Sequence, residues 1–149
     1  MRVAVDTNVL LYAEGLDDAR RQILATDTID RIGRDRIVAP VQVLGEVFRV
    51  VVRKARKTPG EAAEIVEGWR ATLAIAATTT SAFDAACGLA VRHGLQIWDA
   101  IIIAVAAEAQ CTLLLSEDLQ EGFTWAGVTV VNPLRDPPHP LLLRAFRTD

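Results

Sequence analysis

The sequence is poor in the groups on which much covalent and redox chemistry depends. It has two cysteines, Cys87 and Cys111, without CxxC spacing. A chain able to build a good core needs no disulfide staple, so both read as reduced, buried thiols. Of the two histidines, His93 precedes a helix-ending glycine and His139 lies in a proline-rich tail, so neither pairs with a nucleophile. No GxSxG, Walker A or Rossmann glycine pattern occurs. Aromatic residues make up 5% of the chain, too few for an extended base-stacking platform. Basic residues are not in excess: sixteen Lys plus Arg face nineteen Asp plus Glu, a net charge of −3. That balance removes the simplest electrostatic argument for a nucleic-acid binder, so any positive charge serving that purpose is local. The most apolar stretch, Leu95 to Leu115, is interrupted by Asp99, Glu108 and Gln110, which excludes a spanning helix. The first residues run into charged sequence without the apolar region of a signal peptide. The expectation is a soluble, cytoplasmic protein with no membrane contact.

What is present suffices for one folded domain. The chain has 149 residues and is 51% hydrophobic; a domain of that size buries roughly 68–70% of its unfolded surface, which excludes intrinsic disorder. Short apolar runs at Val3–Val5, Arg36–Pro40, Ile75–Ala77, Thr112–Leu115 and Val128–Val131 read as strands. Helical spacing is expected after Asp6, over Val41–Lys57, Glu61–Leu73, Ser81–Arg92 and Asp99–Ala109. Strands alternating with helices imply right-handed crossovers, a mostly parallel sheet covered on both faces, and an α/β sandwich. Only the end changes character. Asn132-Pro133, Pro137, Pro138 and Pro140 open an extension over 134–149 in which Leu141–Phe146 adds a helical turn or packs on a partner.

Ligands of such a sheet bind beyond the carboxyl ends of the strands. Asp6 follows the first strand, Asp118 follows the fourth, and Glu46 and Asp99 fall near helix starts at that same edge. Each has a structural alternative. Asp6 and Asp99 suit helix N-caps, Glu46 suits pairing with Arg49 or Arg53, and Asp118 suits a turn. Together they form a set of carboxylates that would repel one another without a cation, and oxygen-only donors suit Mg²⁺ or Mn²⁺ better than Zn²⁺.

Asp6-Thr7-Asn8-Val9-Leu10, Glu46 within Val43–Phe48, the Ile97-Trp98-Asp99-Ala100 stretch and Leu114–Leu119 occur in the order and spacing of the PIN domain. The chain from Met1 to about Pro133 resembles that family, most of all the VapC-type toxins of bacterial toxin–antitoxin pairs. The resemblance implies a PIN-like three-layer sandwich with a five-stranded parallel sheet flanked by helices. It further implies an Mg²⁺- or Mn²⁺-dependent endoribonuclease that hydrolyses RNA phosphodiester bonds with a metal-activated water. Asp6, Glu46, Asp99 and Asp118 would occupy the catalytic and metal-binding positions, with Thr7, Asn8 and Ser116 orienting them or the phosphate. Homodimerisation and inhibition by a cognate VapB-type antitoxin belong to the same expectation.

Local positive charge is found in two places, Arg49–Lys57 on the helix carrying Glu46, and Arg31, Arg34 and Arg36. Counting three and seven residues from Glu46 points Arg49 and Arg53 at the cleft, for contact with RNA or a partner. Trp69, Trp98 and Trp125 read as core or interface packing, and Leu10, Leu11, Tyr12, Leu16, Ile23 and Leu24 as core or as a groove for a partner helix. Two rivals remain: a haloacid-dehalogenase-like phosphatase using Asp6 as nucleophile, although Asn8 stands where its second Asp belongs, and a non-catalytic module whose acidic pocket holds a cation.

Overall fold

The computed structural model describes residues 1–146. Five short strands run parallel: β1 (Val3–Val5), β2 (Ile37–Pro40), β3 (Ala74–Ala76), β4 (Leu113–Leu115) and β6 (Val128–Val131). A sixth, β5 (Thr124–Trp125), is antiparallel to β6 at one edge, giving the order β3-β2-β1-β4-β6-β5. The expected five-stranded sheet is therefore six-stranded. The added strand arises because Ala126 and Gly127 both adopt positive φ, 47° and 85°, the backbone of a two-residue hairpin turn that returns the chain upon itself.

Every residue of β1, β2 and β4 is buried, because helices cover both faces of a parallel sheet. These helices are α1 (Thr7–Ala13), α2 (Ala19–Ile32), α3 (Val41–Arg53), α4 (Pro59–Thr72), α5 (Thr80–His93) and α6 (Ile97–Glu108). In α6 all residues from Ala100 to Ala106 are buried, as its all-round apolar sequence requires. Gly94 closes α5 in the left-handed conformation at φ 67°, where a Cβ would be strained. Cys87 and Cys111 are free thiols, the second buried.

Helix boundaries differ from the sequence reading in three informative places. α3 stops at Arg53, not Lys57; Thr58 precedes a proline, which disfavours helical backbone there, and Arg56 turns to φ 53°. α4 starts earlier, at Pro59, because Thr58 and Glu61 form a reciprocal capping box. α6 starts at Ile97, so Asp99 lies in its first turn while Gln96 is the N-cap. The helix dipole favours a carboxylate at that position.

The proline-rich end folds back on its own chain. α7 (Pro140–Ala145) buries Leu142 and Ala145 in the core, and His139 caps it by accepting the Leu141 N–H at 3.1 Å. Arg36 donates to the carbonyls of Ala145, at 2.9 Å, and Ile32, and Arg31 lies 3.9 Å from the Phe146 ring centroid. Among the described residues no helix is long and apolar enough to cross a membrane.

Removing the Leu142 side chain leaves a cavity under α7. Leu142→Ala is expected to lower unfolding stability by about 2–4 kcal/mol, read from the denaturant midpoint. A change below about 0.5 kcal/mol would show that this segment is not part of the folded core.

Candidate functional site

Strand order fixes where a site can form. From β1 the chain moves outward to β2 and β3, then crosses back to β4 on the other side of β1. The carboxyl ends of β1 and β4 therefore flank the switch point of the sheet, where a crevice opens. Val5 pairs with Leu115, so the residues that follow, Asp6 and Ser116, meet at the mouth of that crevice.

A cleft of about 680 Å³ lies there, and Asp6, Glu46, Asp99 and Asp118 all line it. Asp6 is 6% exposed and caps α1. The Thr7 N–H donates to its Oδ1 at 2.7 Å, and the Ser116 hydroxyl donates to its Oδ2 at 2.6 Å. Its backbone N–H continues the sheet by donating to the Leu115 carbonyl at 2.9 Å. The cap reading and the site reading of Asp6 are thus both satisfied by one side chain. Glu46, projecting from α3, accepts from the Thr7 hydroxyl at 2.6 Å and from Gln42 Nε2 at 3.0 Å. Asn8 Nδ2 donates to Asp118 at 3.0 Å and to Asp6 Oδ2 at 3.4 Å, joining the loop after β4 to α1. Asp99 enters from α6. Thr7, Asn8 and Ser116 thus hold the carboxylates by hydrogen bonds and bring no charge.

Among the described residues none of these acids forms a salt bridge. The electrostatic consequence is a raised affinity for protons. Burial pushes the Asp6 carboxyl up to about 6, against the hydrogen bonds from Ser116 and Thr7, with the charges of Asp99 and Glu46 adding to the rise. Asp99 is raised as well, by desolvation first and then by Glu46 and Asp118. Carboxylate, hydroxyl and amide oxygens make a hard donor set that fits Mg²⁺ or Mn²⁺. Among the described residues no group of three or more His, Cys, Asp or Glu is placed to hold an ion directly. The acids line one cleft without meeting at a point, an arrangement that suits an ion retaining several waters and bound by one or two carboxylates.

The basic residues of the cleft are not those expected. Arg49 and Arg53 are exposed and do not line it; Lys54 and Lys57 do. The cleft opens on the Val50 side of Glu46, four residues on rather than three, and the same face carries Lys54 eight residues on. Lys57 follows after α3 has ended, where the turn at Arg56 redirects the chain. The second basic cluster is occupied elsewhere: Arg31 and Arg34 pair with Asp27 and Asp30, and Arg36 holds the carbonyl end of α7. Trp69 is buried, whereas Trp98, beside Asp99, is 59% exposed. Of the apolar residues assigned to a groove, Leu10 is fully buried, Ile23 is exposed, and Leu11, Tyr12 and Leu16 line the cleft itself.

One side-chain network has no signal in the sequence. Tyr12 donates to Glu117 at 3.2 Å, Arg21 bonds the same Oε1 at 3.2 Å, and the Arg21 guanidinium lies 5.5 Å from the Tyr12 ring centroid. Burial and then the Glu117 charge push the Tyr12 phenol up to about 12. This network anchors the segment before Asp118 against α1 and α2.

A carboxyl whose pKa is raised on folding is stabilising neither in acid nor in base. Below its unfolded value of 3.8 it is protonated in both states. As pH rises through about 6 the folded protein is forced to hold an uncompensated charge. Asp6→Asn is therefore expected to raise stability at pH 8 in chelator, by a margin on the order of 2 kcal/mol that closes as pH falls to 4. Thermal unfolding at the two pH values reads this, and equal margins would refute a burial cost at Asp6.

No curated protein sequence matches the chain. Solved structures of similar fold include VapC20 of Mycobacterium tuberculosis, a sarcin–ricin-loop-cleaving toxin, at 20% identity over 75% of this chain and 86% of that one, TM-score 0.62. VapBC2 of Rickettsia felis bound to a promoter DNA fragment is similar at 17% identity over 89% and 98%, TM-score 0.65. A toxin–antitoxin complex of Klebsiella pneumoniae is similar at 18% identity over 88% and 97%, TM-score 0.64. The family model of the PIN domain matches residues 3–122, and with the acids of that pattern gathered in one cleft the chain belongs to the PIN domain family.

Proposed function

We propose that the chain is a divalent-metal-dependent endoribonuclease, the toxin of a toxin–antitoxin pair, using Mg²⁺ or Mn²⁺. The observation carrying this reading is the cleft itself, with Asp6, Glu46, Asp99 and Asp118 on its walls and Lys54 and Lys57 at the same opening. Acids to hold a cation and bases to hold a phosphate are what hydrolysis of a phosphodiester needs side by side. A divalent ion bound there supplies the charge that offsets the scissile phosphate and makes water a better nucleophile near neutral pH.

Asp6 and Asp99 are assigned as direct ligands, since the proton affinity of each is raised first by burial and then by neighbouring carboxylates, a charge that a cation would offset. Glu46 and Asp118, fixed by hydrogen bonds from Thr7, Gln42 and Asn8, would hold the ion directly or through water. Ser116 fixes one oxygen of Asp6, so the ligand cannot rotate away when the ion leaves. Lys54 and Lys57 position the strand through its phosphates without reading its sequence.

A VapB-type antitoxin is the proposed inhibitor, a reading supported by the toxin–antitoxin complexes among structures of similar fold. Homodimerisation is supported by the exposed apolar side chains Phe83 and Val91 of α5 and Trp98 of α6. The proposed site of action is the cytoplasm.

The purified chain is expected to cleave structured RNA in Mg²⁺ or Mn²⁺ and not in chelator, with Asp99→Asn lowering the rate about 100-fold or more. Cleavage unaffected by chelator, or a phosphoprotein formed on Asp6 with a phosphate ester, would overturn the assignment. In the Asp99→Asn background, Lys54→Ala with Lys57→Ala is expected to weaken RNA binding and to flatten its salt dependence by about 0.7 for each phosphate no longer neutralised. Arg49→Ala with Arg53→Ala should change both less; the reverse ranking, by filter binding across a salt series, would contradict the cleft geometry.

A further inference from the structure

Of the four cleft acids, Asp118 is held least by the regular elements of the fold. Glu46 and Asp99 stand on helices, and Asp6 is buried where β1 meets α1. Asp118 is exposed and lies in the irregular segment 116–119 after β4. Among the described residues its side chain has one hydrogen bond, from Asn8 Nδ2 at 3.0 Å.

The residue before it is gripped far more firmly. Arg21, on α2, forks across the Glu117 carboxylate, with Nη2 donating to Oε1 at 3.2 Å and Nε to Oε2 at 3.5 Å. The Tyr12 hydroxyl donates to the same Oε1 at 3.2 Å. Arg21 is fixed in turn: its Nη1 donates to Asp18 Oδ2 at 2.9 Å, and Asp18 caps α2 by accepting the Arg21 N–H at 2.8 Å. The backbone closes the frame. The Glu117 N–H donates to Asn8 Oδ1 at 3.4 Å, and the Leu119 N–H to Ser116 Oγ at 3.2 Å. Exposed ion pairs add little to stability, and neither Arg21 nor Glu117 lines the acid cleft, whereas Asp118 does.

We propose that Arg21 and Tyr12 are positioning residues: by gripping Glu117 they hold its neighbour Asp118 at the cleft wall, in place for a divalent ion. The proposal rests on the metal-dependent reading above. Fixing the chain beside a ligating carboxylate spares the ion the cost of ordering it. Charge alone predicts the opposite effect. Arg21 is a cation near the cleft, and its loss frees Glu117, Asp17 and Asp18; Asp17 itself lines the cleft. By Coulomb attraction, a neutral residue at position 21 would tighten the binding of a cation. If Arg21 acts by holding Glu117, the same change loosens it.

The test titrates the full chain with Mn²⁺, followed by electron paramagnetic resonance. Arg21→Met keeps a long side chain without charge or fork, and is expected to weaken Mn²⁺ binding about tenfold. Tyr12→Phe, which changes no charge, should weaken it by less. Arg21→Lys should recover part of the loss, since lysine grips as a point charge and not as a fork. In a second arm, hydrogen exchange is measured in chelator. The Glu117 and Leu119 N–H groups should exchange about tenfold faster in Arg21→Met, with the β4 amides and thermal unfolding unchanged. Tighter or unchanged Mn²⁺ binding in Arg21→Met, or unchanged exchange at Glu117 and Leu119, overturns the proposal. An equal loss of protection throughout β4 would make Arg21 a stability residue and overturns it too. Weaker binding with faster local exchange, in a chain that cleaves no RNA, keeps the positioning role and overturns the ribonuclease reading alone. A wild type that binds no Mn²⁺ overturns both.

Discussion

The structure turns on a carboxylate that is both covered by protein and left without a cationic partner. Asp6 is where β1 hands the chain to α1, and its backbone N–H still belongs to the sheet through Leu115. Its side chain is consequently enclosed, held by Ser116 from the neighbouring strand end and by the Thr7 N–H. The two hydrogen bonds lower the cost of the charge but do not cancel it, because desolvation is the larger effect and Asp99 and Glu46 add to it. The pairing of β1 with β4 that creates the core therefore also creates the site. Loosening that pairing would hydrate Asp6 and dissolve the cleft together with the sheet.

Charge on the rest of the surface is arranged so that the cleft keeps its character. Arg21, Arg31, Arg34, Arg70 and Arg135 each lie against an acid elsewhere. Exposed pairs of this kind contribute little to stability, but they remove arginines from competition for the site acids. Among the described residues Lys54 and Lys57 form no salt bridge and stand at the cleft. The net charge of −3 is smaller than that of the four acids in the cleft alone. The acidity of the chain is thus concentrated where a cation would neutralise it.

Much of this is legible along the chain because it is local. The parallel strands and the helices α1 and α3 to α6 follow from apolar periodicity, whereas the charge-rich α2 (Ala19–Ile32) does not stand out; the α6 run announces a buried helix, and His93-Gly94 marks the end of α5. Acids at strand ends and helix starts are placed by topology, so all four line one cleft as expected. The face of α3 differs by one position from the helical count, since Glu46 stands at the margin of the cleft and only the packing of α1 shows on which side the opening lies. The β5–β6 hairpin has no local signal because its turn rests on Ala126 at positive φ, a conformation that alanine does not advertise.

The sequence by itself determined the alternation of strands and helices, the burial of the central strands and the acids available at one edge of the sheet. Each of these follows from residue type and spacing over a few residues. Tertiary structure alone decided which side of α3 meets the cleft, and that the proline-rich end folds back to bury Leu142. It also joined Tyr12 and Arg21 to Glu117 and brought Glu14 and Trp69 to the walls of a second pocket. Those interactions link segments far apart in the chain, and no local propensity encodes which of them will meet. The number of acids was written in the sequence; how far each is desolvated, and so how strongly each calls for a proton or a cation, was decided by the fold around it.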